Sequence, residues 1–226
     1  MTKKNYTHIT LVVDRSGSMD FIKKDAQGGI NQLIAAHKAA DGQCTFALYQ
    51  FDTQFETVFG PGNISLLESY TLVPRGGTAL YDAQWKAIHS TGDYLRSLPE
   101  SQRPEKVIFV TVTDGGENAS SEISGPSGLA TLKSKVQEQE SKYSWEFIYI
   151  GANQDAFDVG SSFGVTRNMG YVANAASTTS MYNNLIGSTL SARSTGADTA
   201  SFLASQVDAE GNVITNNTTA TTGESQ

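Results

Sequence analysis

The chain has 226 residues, of which 38% are hydrophobic and 17% charged, so it is long enough for one α/β domain with a buried core. Its 16 Lys and Arg residues against 23 Asp and Glu residues give a net charge of −7. Such a chain is a poor candidate for nucleic-acid binding, because phosphate backbones are bound by basic surfaces. The single cysteine, Cys44, excludes an internal disulfide framework and a Cys-x-x-Cys metal site. Its apolar runs are shorter than a signal-peptide core or the ~20 residues of a membrane span, so we expect a cytoplasmic protein without a membrane partner.

Strand-like and helix-like patterns alternate over most of the chain. Short β-prone runs predict strands, and apolar residues three or four positions apart predict helices. In chain order, the predicted elements are a strand at Ile9–Val13, a helix from Ile22 to His37, strands at Gln43–Phe51 and Gln54–Phe59, a helix from Leu80 to Leu95, a strand at Lys106–Thr113, a helix around Leu129–Val136, a strand at Trp145–Gly151, a short helix around Ala156–Phe163, an edge strand at Tyr171–Ala173 and a helix from Met181 to Leu190. The tight connection at Asp52-Thr53 predicts that the second and third strands pair antiparallel.

This alternation predicts one doubly wound α/β domain over about residues 5–193. Strands separated by helices of this length pair in parallel, with helices on both faces of the sheet. We assign residues 194–226 to a Ser/Thr/Asn-rich tail, because 36 of the 53 residues from 174 to 226 are Ser, Thr, Asn, Gly or Ala. Within the tail, residues 205–215 predict a small hairpin that needs docking on the domain or on a partner to be ordered. Of the two interpretations of the tail, we favour a disordered appendage.

Oxygen-bearing side chains occur in three segments at one predicted edge of the sheet. Asp14, Ser16 and Ser18 alternate after the first strand, so on an extended loop their side chains point the same way. Thr78 precedes the second helix, and Asp114 follows the central strand. Ligands of open α/β sheets bind at the carboxyl ends of the strands, so we expect these side chains to converge. An all-oxygen set with two carboxylates suits Mg²⁺, or else Mn²⁺ or Ca²⁺, and an incoming carboxylate would complete its coordination.

Three further residues are candidates for supporting positions behind these ligands. Gly17 lets the backbone bend between the two serines, and Gly77 precedes Thr78. Glu117 lies in the polar loop after the central strand, where it holds a metal-bound water or, as we favour, is a solvated side chain. Taken singly, each segment is explained by turns and helix caps, so the metal site is indicated by their joint occurrence.

The pattern Asp14-Arg-Ser-Gly-Ser18, followed by Thr78 in Gly-Gly-Thr-Ala-Leu and Asp114 in Val-Thr-Asp-Gly, resembles the metal-ion-dependent adhesion site of von Willebrand factor A-type domains. The resemblance covers roughly residues 5–190. It implies a six-stranded, mostly parallel sheet with one antiparallel edge strand and flanking helices. It also implies a metal held by Asp14 and the two serines, directly or through water, with the threonine and the second aspartate from adjacent loops. Partner proteins of this family commonly donate an Asp or Glu to that metal.

We therefore expect a non-enzymatic, metal-dependent protein-binding module whose partner supplies an acidic side chain. The first alternative is a structural or assembly protein of a bacterial or phage system, such as a virion component, in which the metal site is secondary. The second is a metal-dependent phosphohydrolase similar to haloacid-dehalogenase-like phosphatases, with Asp14 as nucleophile; here Ser16 replaces the acid that would protonate the leaving group. The sequence contains neither a nucleophile elbow nor a phosphate-binding loop. It leaves the oligomeric state open.

Overall fold

A computed structural model describes residues 2–152, 154–199 and 205–215, without the side chains of residues 154–157, 205 and 215. Within these ranges the chain forms eight β-strands and five α-helices, together with short 3-10 helices. The strands are β1 (Lys3–Asp14), β2 (Gln43–Phe51), β3 (Phe55–Asn63), β4 (Pro104–Thr113), β5 (Trp145–Gly151), β6 (Arg167–Tyr171), β7 (Ser205–Val207) and β8 (Val213–Thr215). The α-helices are α1 (Lys23–Ala39), α2 (Leu80–Ser97), α3 (Gly125–Tyr143), α4 (Gln154–Ser162) and α5 (Ala175–Thr195).

The strands form one sheet in the order β3-β2-β1-β4-β5-β6-β7-β8. The five pairs from β2 to β7 are parallel, and the two outermost pairs are antiparallel. The predicted α/β class, the mostly parallel sheet and the antiparallel pairing of β2 with β3 are therefore confirmed. The winding reverses between β1 and β4, because β2 and β3 lie on one side of β1 and the later strands on the other. A reversal of this kind creates a crevice at the carboxyl edge of the sheet.

Helices cover both faces of the sheet and create two buried cores. Successive side chains of a strand point to opposite faces. Leu11 of β1 packs in the core that contains residues of α1 and α5, such as Leu185. Its neighbour Val12 packs in the other core, with Ala87 of α2 and Leu132 of α3. The helical periodicities in the sequence therefore correspond to faces that are buried against the sheet.

The approach of α1 to α5 depends on one glycine. A Cβ atom built on Gly29 would lie 2.0 Å from the Tyr182 ring, whereas one built on Gly28 meets no atom within 4 Å. The Tyr182 ring is fully buried and occupies the space that a side chain at Gly29 would need. The sequence pattern did not reveal this contact.

The sheet has eight strands rather than the six that the resemblance implies, because β7 and β8 extend it beyond β6. Each of the added strands has only three residues, and Val213 and Ile214 of β8 are exposed. They are specified by backbone pairing with β6 and with each other rather than by an apolar run. The predicted edge strand at Tyr171–Ala173 is also wrong, since β6 ends at Tyr171 and lies inside the sheet.

The strands β7 and β8 form a hairpin that closes through Asp208. Its Oδ1 accepts hydrogen bonds from the N–H groups of Glu210 at 3.0 Å and Asn212 at 2.7 Å. Because β7 pairs in parallel with β6, the hairpin belongs to the same sheet as the rest of the chain. The division of the chain at residue 193 stays a prediction, and residues 200–204 and 216–226 of the predicted tail lie outside the described residues. Across the part that is described, no helix combines the length and the apolar character needed to cross a membrane.

Candidate metal centre

The carboxyl ends of β1 and β4 lie side by side at the reversal of the sheet. Val13 pairs with Val112, so Asp14 and Thr113, which follow them, are neighbours. The Asp14 carboxylate is buried, and its Oδ2 accepts a hydrogen bond from Thr113 Oγ1 at 2.6 Å. Its Oδ1 accepts a second bond from the N–H of Ser16, also at 2.6 Å. Both carboxylate oxygens are thus held in place by hydrogen bonds from the protein itself.

The two serines connect this carboxylate to the loop after β4. A 3-10 helix (Gly17–Ile22) begins directly after Ser16 and turns the chain, so that the Oγ atoms of Ser16 and Ser18 lie 3.1 Å apart. Ser18 Oγ donates to Asp114 Oδ1 at 2.7 Å. Ser16 is buried, Asp114 is partly buried and Ser18 is exposed. The cluster therefore runs from the interior to the surface.

Thr78 lies just before α2 and is buried beside the same loop. Its N–H donates to Asn118 Oδ1 at 2.8 Å, and its carbonyl oxygen accepts from the Asn118 N–H at 3.0 Å. Its hydroxyl and that of Ser18 both lie beside Gly115, since a Cβ built on this glycine would lie 3.8 Å from each oxygen. The structure thus brings all five predicted ligand residues to one edge of the sheet.

The two supporting glycines lie at close backbone contacts. The Gly17 N–H donates to the Gly76 carbonyl oxygen at 3.1 Å, which ties the first loop to the segment that carries Thr78. A Cβ on Gly77 would lie 2.9 Å from Asn118 Oδ1 and would disturb the hydrogen bond to Thr78. Neither glycine offers a side chain to an ion, so both act through the backbone.

Glu117 faces the first turn of α2 rather than solvent, which corrects the interpretation that we favoured. Its Oε2 accepts from the Tyr81 N–H at 2.9 Å, and its Oε1 accepts from the N–H groups of Ala119 at 2.8 Å and Ser120 at 2.6 Å. A carboxylate at this position stabilises the positive end of the helix. Its hydrogen bonds hold the loop after β4 against α2.

Burial dominates the electrostatics of the two aspartates. It raises the pKa of Asp14 to about 7, although the hydrogen bonds from Thr113 and Ser16 oppose this and the nearby Asp114 adds to it. Burial also raises the pKa of Asp114. The adjacent Arg15 pairs with Asp52 and Glu56 instead. A divalent cation between the two aspartates would offset the cost of burying their charges.

The donor set contains oxygen atoms only. Across the residues that the structure describes, no three His, Cys, Asp or Glu side chains come together as a metal site. The cluster instead combines two carboxylates with three hydroxyls, which suits a hard cation that keeps some of its water. The residues present therefore fit the divalent ion that the sequence pattern predicts.

Sequence reasoning missed Thr113 and Asn118, which hydrogen-bond to predicted ligands, and Asp52, which lies beside them. Thr113 looked like one more β-prone residue, and Asn118 looked like part of a polar loop. Asp52 was assigned only to a turn, although it lies one residue beyond β2 at the same edge of the sheet. Its position after a parallel strand was the signal that could have identified it.

Comparisons with known proteins identify the fold. No family model matches the sequence, and no curated protein matches it either. Solved structures do match. The pilus adhesin SpaC from Lactobacillus rhamnosus GG is 14% identical with a TM-score of 0.59, over 83% of this chain and 31% of that one. Proximal thread matrix protein 1 from the mussel byssus is 13% identical with a TM-score of 0.57, over 81% of this chain and 46% of that one.

A third match carries the family in its description. The von Willebrand factor type A protein from Catenulispora acidiphila is 14% identical with a TM-score of 0.55, over 83% of this chain and 43% of that chain. The chain thus spans less than half the length of each of these proteins. Another structure of the mussel protein is described as having a zinc-occupied MIDAS motif, the metal-ion-dependent adhesion site. At these identities the likeness shows the fold alone: this chain has the fold of a von Willebrand factor A-type domain.

Proposed function

We propose that this chain is a metal-dependent protein-binding module in which Asp14, Ser16, Ser18, Thr78 and Asp114 hold Mg²⁺, or else Mn²⁺ or Ca²⁺. An Asp or Glu of a partner protein completes the coordination of the ion. The observation that carries the proposal is the hydrogen-bonded chain from Asp14 through the two serines to Asp114, at the carboxyl edge of the sheet.

The distribution of burial supports a site that is open on one side. Asp14, Ser16 and Thr78 are buried and form its floor, while Ser18 is exposed. A carboxylate from outside therefore approaches an ion from the solvent side, past Ser18. Three of the five side chains are uncharged hydroxyls, so they leave the positive charge of the ion available to the partner. The bound ion would supply this charge, and the protein residues would hold it in place.

The chemistry of the donors supports the choice of metal. Oxygen-only sites with carboxylate and hydroxyl donors favour Mg²⁺, Ca²⁺ and Mn²⁺ over softer ions. The zinc in the motif of the mussel protein supports a divalent ion at this kind of site. The pilus adhesin and the thread matrix protein support an interaction role for the fold rather than catalysis.

A capture experiment tests the proposal. The tagged full chain is incubated with an extract of its native source in Mg²⁺ or in EDTA, and the bound proteins are identified. We expect a partner that is retained in Mg²⁺ and lost in EDTA, and lost with Asp14→Ala or Ser16→Ala. Asp93→Ala is the control, since Asp93 is an exposed residue of α2 that pairs with Arg96. Retention of the same partner in EDTA and with both site variants would favour the assembly role, in which the metal is secondary.

The phosphohydrolase alternative has its own test. A generic phosphate monoester is incubated with the chain and Mg²⁺, and with the Asp14→Asn variant. We expect no turnover above background, because Ser16 stands where an acid for the leaving group would be needed. Metal-dependent turnover that disappears in the variant would instead support catalysis by Asp14.

A further inference from the structure

Four charged side chains lie beside the candidate metal centre, and Asp52 is at their middle. Its Oδ2 lies 2.9 Å from Arg15 Nε and 2.6 Å from Arg75 Nε. Glu56 Oε1 lies 2.6 Å from Arg15 Nη2 and 2.9 Å from Arg75 Nη2. Two arginines are thus joined by two carboxylates in a closed group.

The group connects the two segments that supply hydroxyls to the centre. Arg15 stands between Asp14 and Ser16, and Arg75 stands three residues before Thr78. The Asp52 carboxylate is also held by the backbone, because its Oδ1 accepts a hydrogen bond from the Gln54 N–H at 2.7 Å. A shift of one segment relative to the other therefore strains these ion pairs.

Backbone hydrogen bonds at the same place reinforce this connection. The Arg75 N–H donates to the Arg15 carbonyl oxygen at 2.7 Å. The Ala79 N–H donates to the Asp52 carbonyl oxygen at 2.8 Å, one residue after Thr78. The segment before α2 is therefore fixed to both the end of β2 and the loop after β1.

We propose that Arg15, Asp52 and Arg75 form an ionic brace that positions the Asp14–Ser18 loop and the Thr78 segment for one divalent ion. The inference rests on the proposed metal site and assigns its positioning residues. None of the three coordinates the ion. The brace sets the separation between hydroxyls that come from different parts of the chain.

Burial stiffens the Arg15–Asp52 part of the brace. Asp52 is 1% exposed and Arg15 is 5% exposed, so their interaction is shielded from water. The side chain of Arg75 is 52% exposed, so this residue can be replaced with little cost to the core. Mutation of residues that hydrogen-bond directly to metal ligands changes metal affinity by about 10–100-fold, and a residue that acts through the ligand-bearing loops should fall at the lower end of this range.

The positive charge of Arg75 means that a positioning role and a purely electrostatic role predict opposite changes in Mn²⁺ affinity. Removing a cation near a metal site strengthens binding of Mn²⁺ if only electrostatics matter. Removing a positioning residue weakens binding. The change Arg75→Gln therefore separates the two effects by direction.

The test measures Mn²⁺ binding to the full chain by electron paramagnetic resonance of the free ion, with titration calorimetry as a second measurement. We compare the wild-type chain with Arg75→Gln and Arg75→Lys. The control is Arg96→Gln, which makes the same change at an exposed residue near the end of α2. Circular dichroism confirms that each variant is folded.

We expect Arg75→Gln to bind Mn²⁺ about tenfold more weakly, and Arg96→Gln to bind it like the wild type. Arg75→Lys should recover part of the loss, because a lysine can still pair with Asp52. Equal or tighter binding by Arg75→Gln would overturn the brace while leaving the metal site intact. A wild-type chain that does not bind Mn²⁺ would overturn the metal site and the brace together.

Discussion

The hydroxyl of Thr113 donates to the Asp14 carboxylate across the junction of β4 and β1, with 2.6 Å between Oγ1 and Oδ2. Thr113 also accepts a hydrogen bond from the Gly115 N–H at 3.2 Å, so the same side chain shapes the loop that contains Asp114. One threonine thus orients the first carboxylate of the centre and the backbone that leads to the second. Thr113 therefore positions predicted ligands without being one of them.

Replacing Thr113 by valine should therefore weaken metal binding as well as stability. The loss of one buried hydrogen bond should lower the free energy of unfolding by about 1–2 kcal/mol. Without the donor, Asp14 is free to turn, so we expect Mg²⁺ affinity to fall about tenfold in titration calorimetry. The control is Thr111→Val in the same strand. The Thr111 hydroxyl also makes a buried hydrogen bond, which it accepts from Gln84 Nε2 at 2.5 Å. If both variants bind Mg²⁺ alike, Thr113 has no role in the centre.

The substitution Asp14→Asn should have opposite effects on stability in EDTA and in Mg²⁺. Burial raises the pKa of Asp14 to about 7, so at pH 8 the carboxyl is still ionised and its buried charge costs stability. In EDTA we expect the neutral amide to leave the chain as stable as the wild type or more stable. In Mg²⁺ at 100 times the dissociation constant, the wild type should gain about 2.7 kcal/mol of stability, and the variant should not.

Thermal and urea unfolding of both proteins, in EDTA and in Mg²⁺, measure this difference in stability. A gain of this size corresponds to a rise of about 5–10 °C in Tm for a chain of this length. The control is Asp93→Asn, an exposed carboxylate that pairs with Arg96 and should keep the full metal effect. Equal stabilisation of wild type and Asp14→Asn by Mg²⁺ would contradict the assignment of Asp14 as a ligand.

Two buried histidines should make the fold sensitive to acid. Burial lowers the pKa of His8 and of His37 to about 3, and Arg193 adds to the effect at His37. In the unfolded chain a histidine has a pKa near 6.5. Both residues therefore contribute stability that is complete above about pH 6.5 and decreases as the pH falls towards 3. Each contributes a slope of up to about 1.4 kcal/mol per pH unit in this window.

Proton NMR of the imidazole rings checks this directly. We expect the ring resonances of His8 and His37 to stay constant from pH 8 to pH 5 while the chain is folded. The contacts explain why, since His8 lies between the hydroxyls of Thr45 and Thr10, at 2.9 and 3.1 Å. His37 Nδ1 lies 3.0 Å from Arg193 Nη1, so an added proton there would face a cation. Titration of either ring near pH 6.5 in the folded chain would show that the ring is accessible to water rather than buried.

The adjacent glycines of α1 should respond in opposite directions to alanine. Gly29→Ala places a methyl group in the space of the Tyr182 ring, so we expect a loss of about 1–3 kcal/mol in the free energy of unfolding. Gly28→Ala adds a methyl group that meets no atom within 4 Å and removes a helix-interior glycine. It should stabilise the chain by about 0.5–1 kcal/mol. Urea unfolding of the two variants checks the contact of α1 with α5, and similar values would argue against it.

The sequence predicted the fold where local pattern and tertiary environment agree. The apolar run at Ile9–Val13 and the helical spacing from Leu80 to Leu95 correspond to buried surfaces of β1 and α2. The parallel order placed the ends of β1 and β4 together, and with them the predicted ligands. The added strands β7 and β8 could not be predicted in this way, because they are short and depend on pairing with β6.

The supporting contacts of the centre were the other part that pattern could not supply. Asn118, Glu117 and Asp52 are ordinary polar residues in the sequence, and their partners are 40, 36 and 23 positions away. Nothing local distinguishes a carboxylate that caps a helix across a loop from one in water. The predicted ligands could be chosen from sequence because hydroxyls and carboxylates recur at strand ends, whereas the residues that orient them are defined only by three-dimensional contacts.

The five proposed ligands come from positions 14 to 114 of the chain and meet only when β1 and β4 are paired. An unfolded copy offers the same five side chains scattered along a flexible chain, and it cannot gather them around one ion. If this set binds an ion, that binding would indicate that the middle of the sheet has formed. A partner that binds through the ion would accordingly discriminate native copies from misfolded ones, without touching the hydrophobic core.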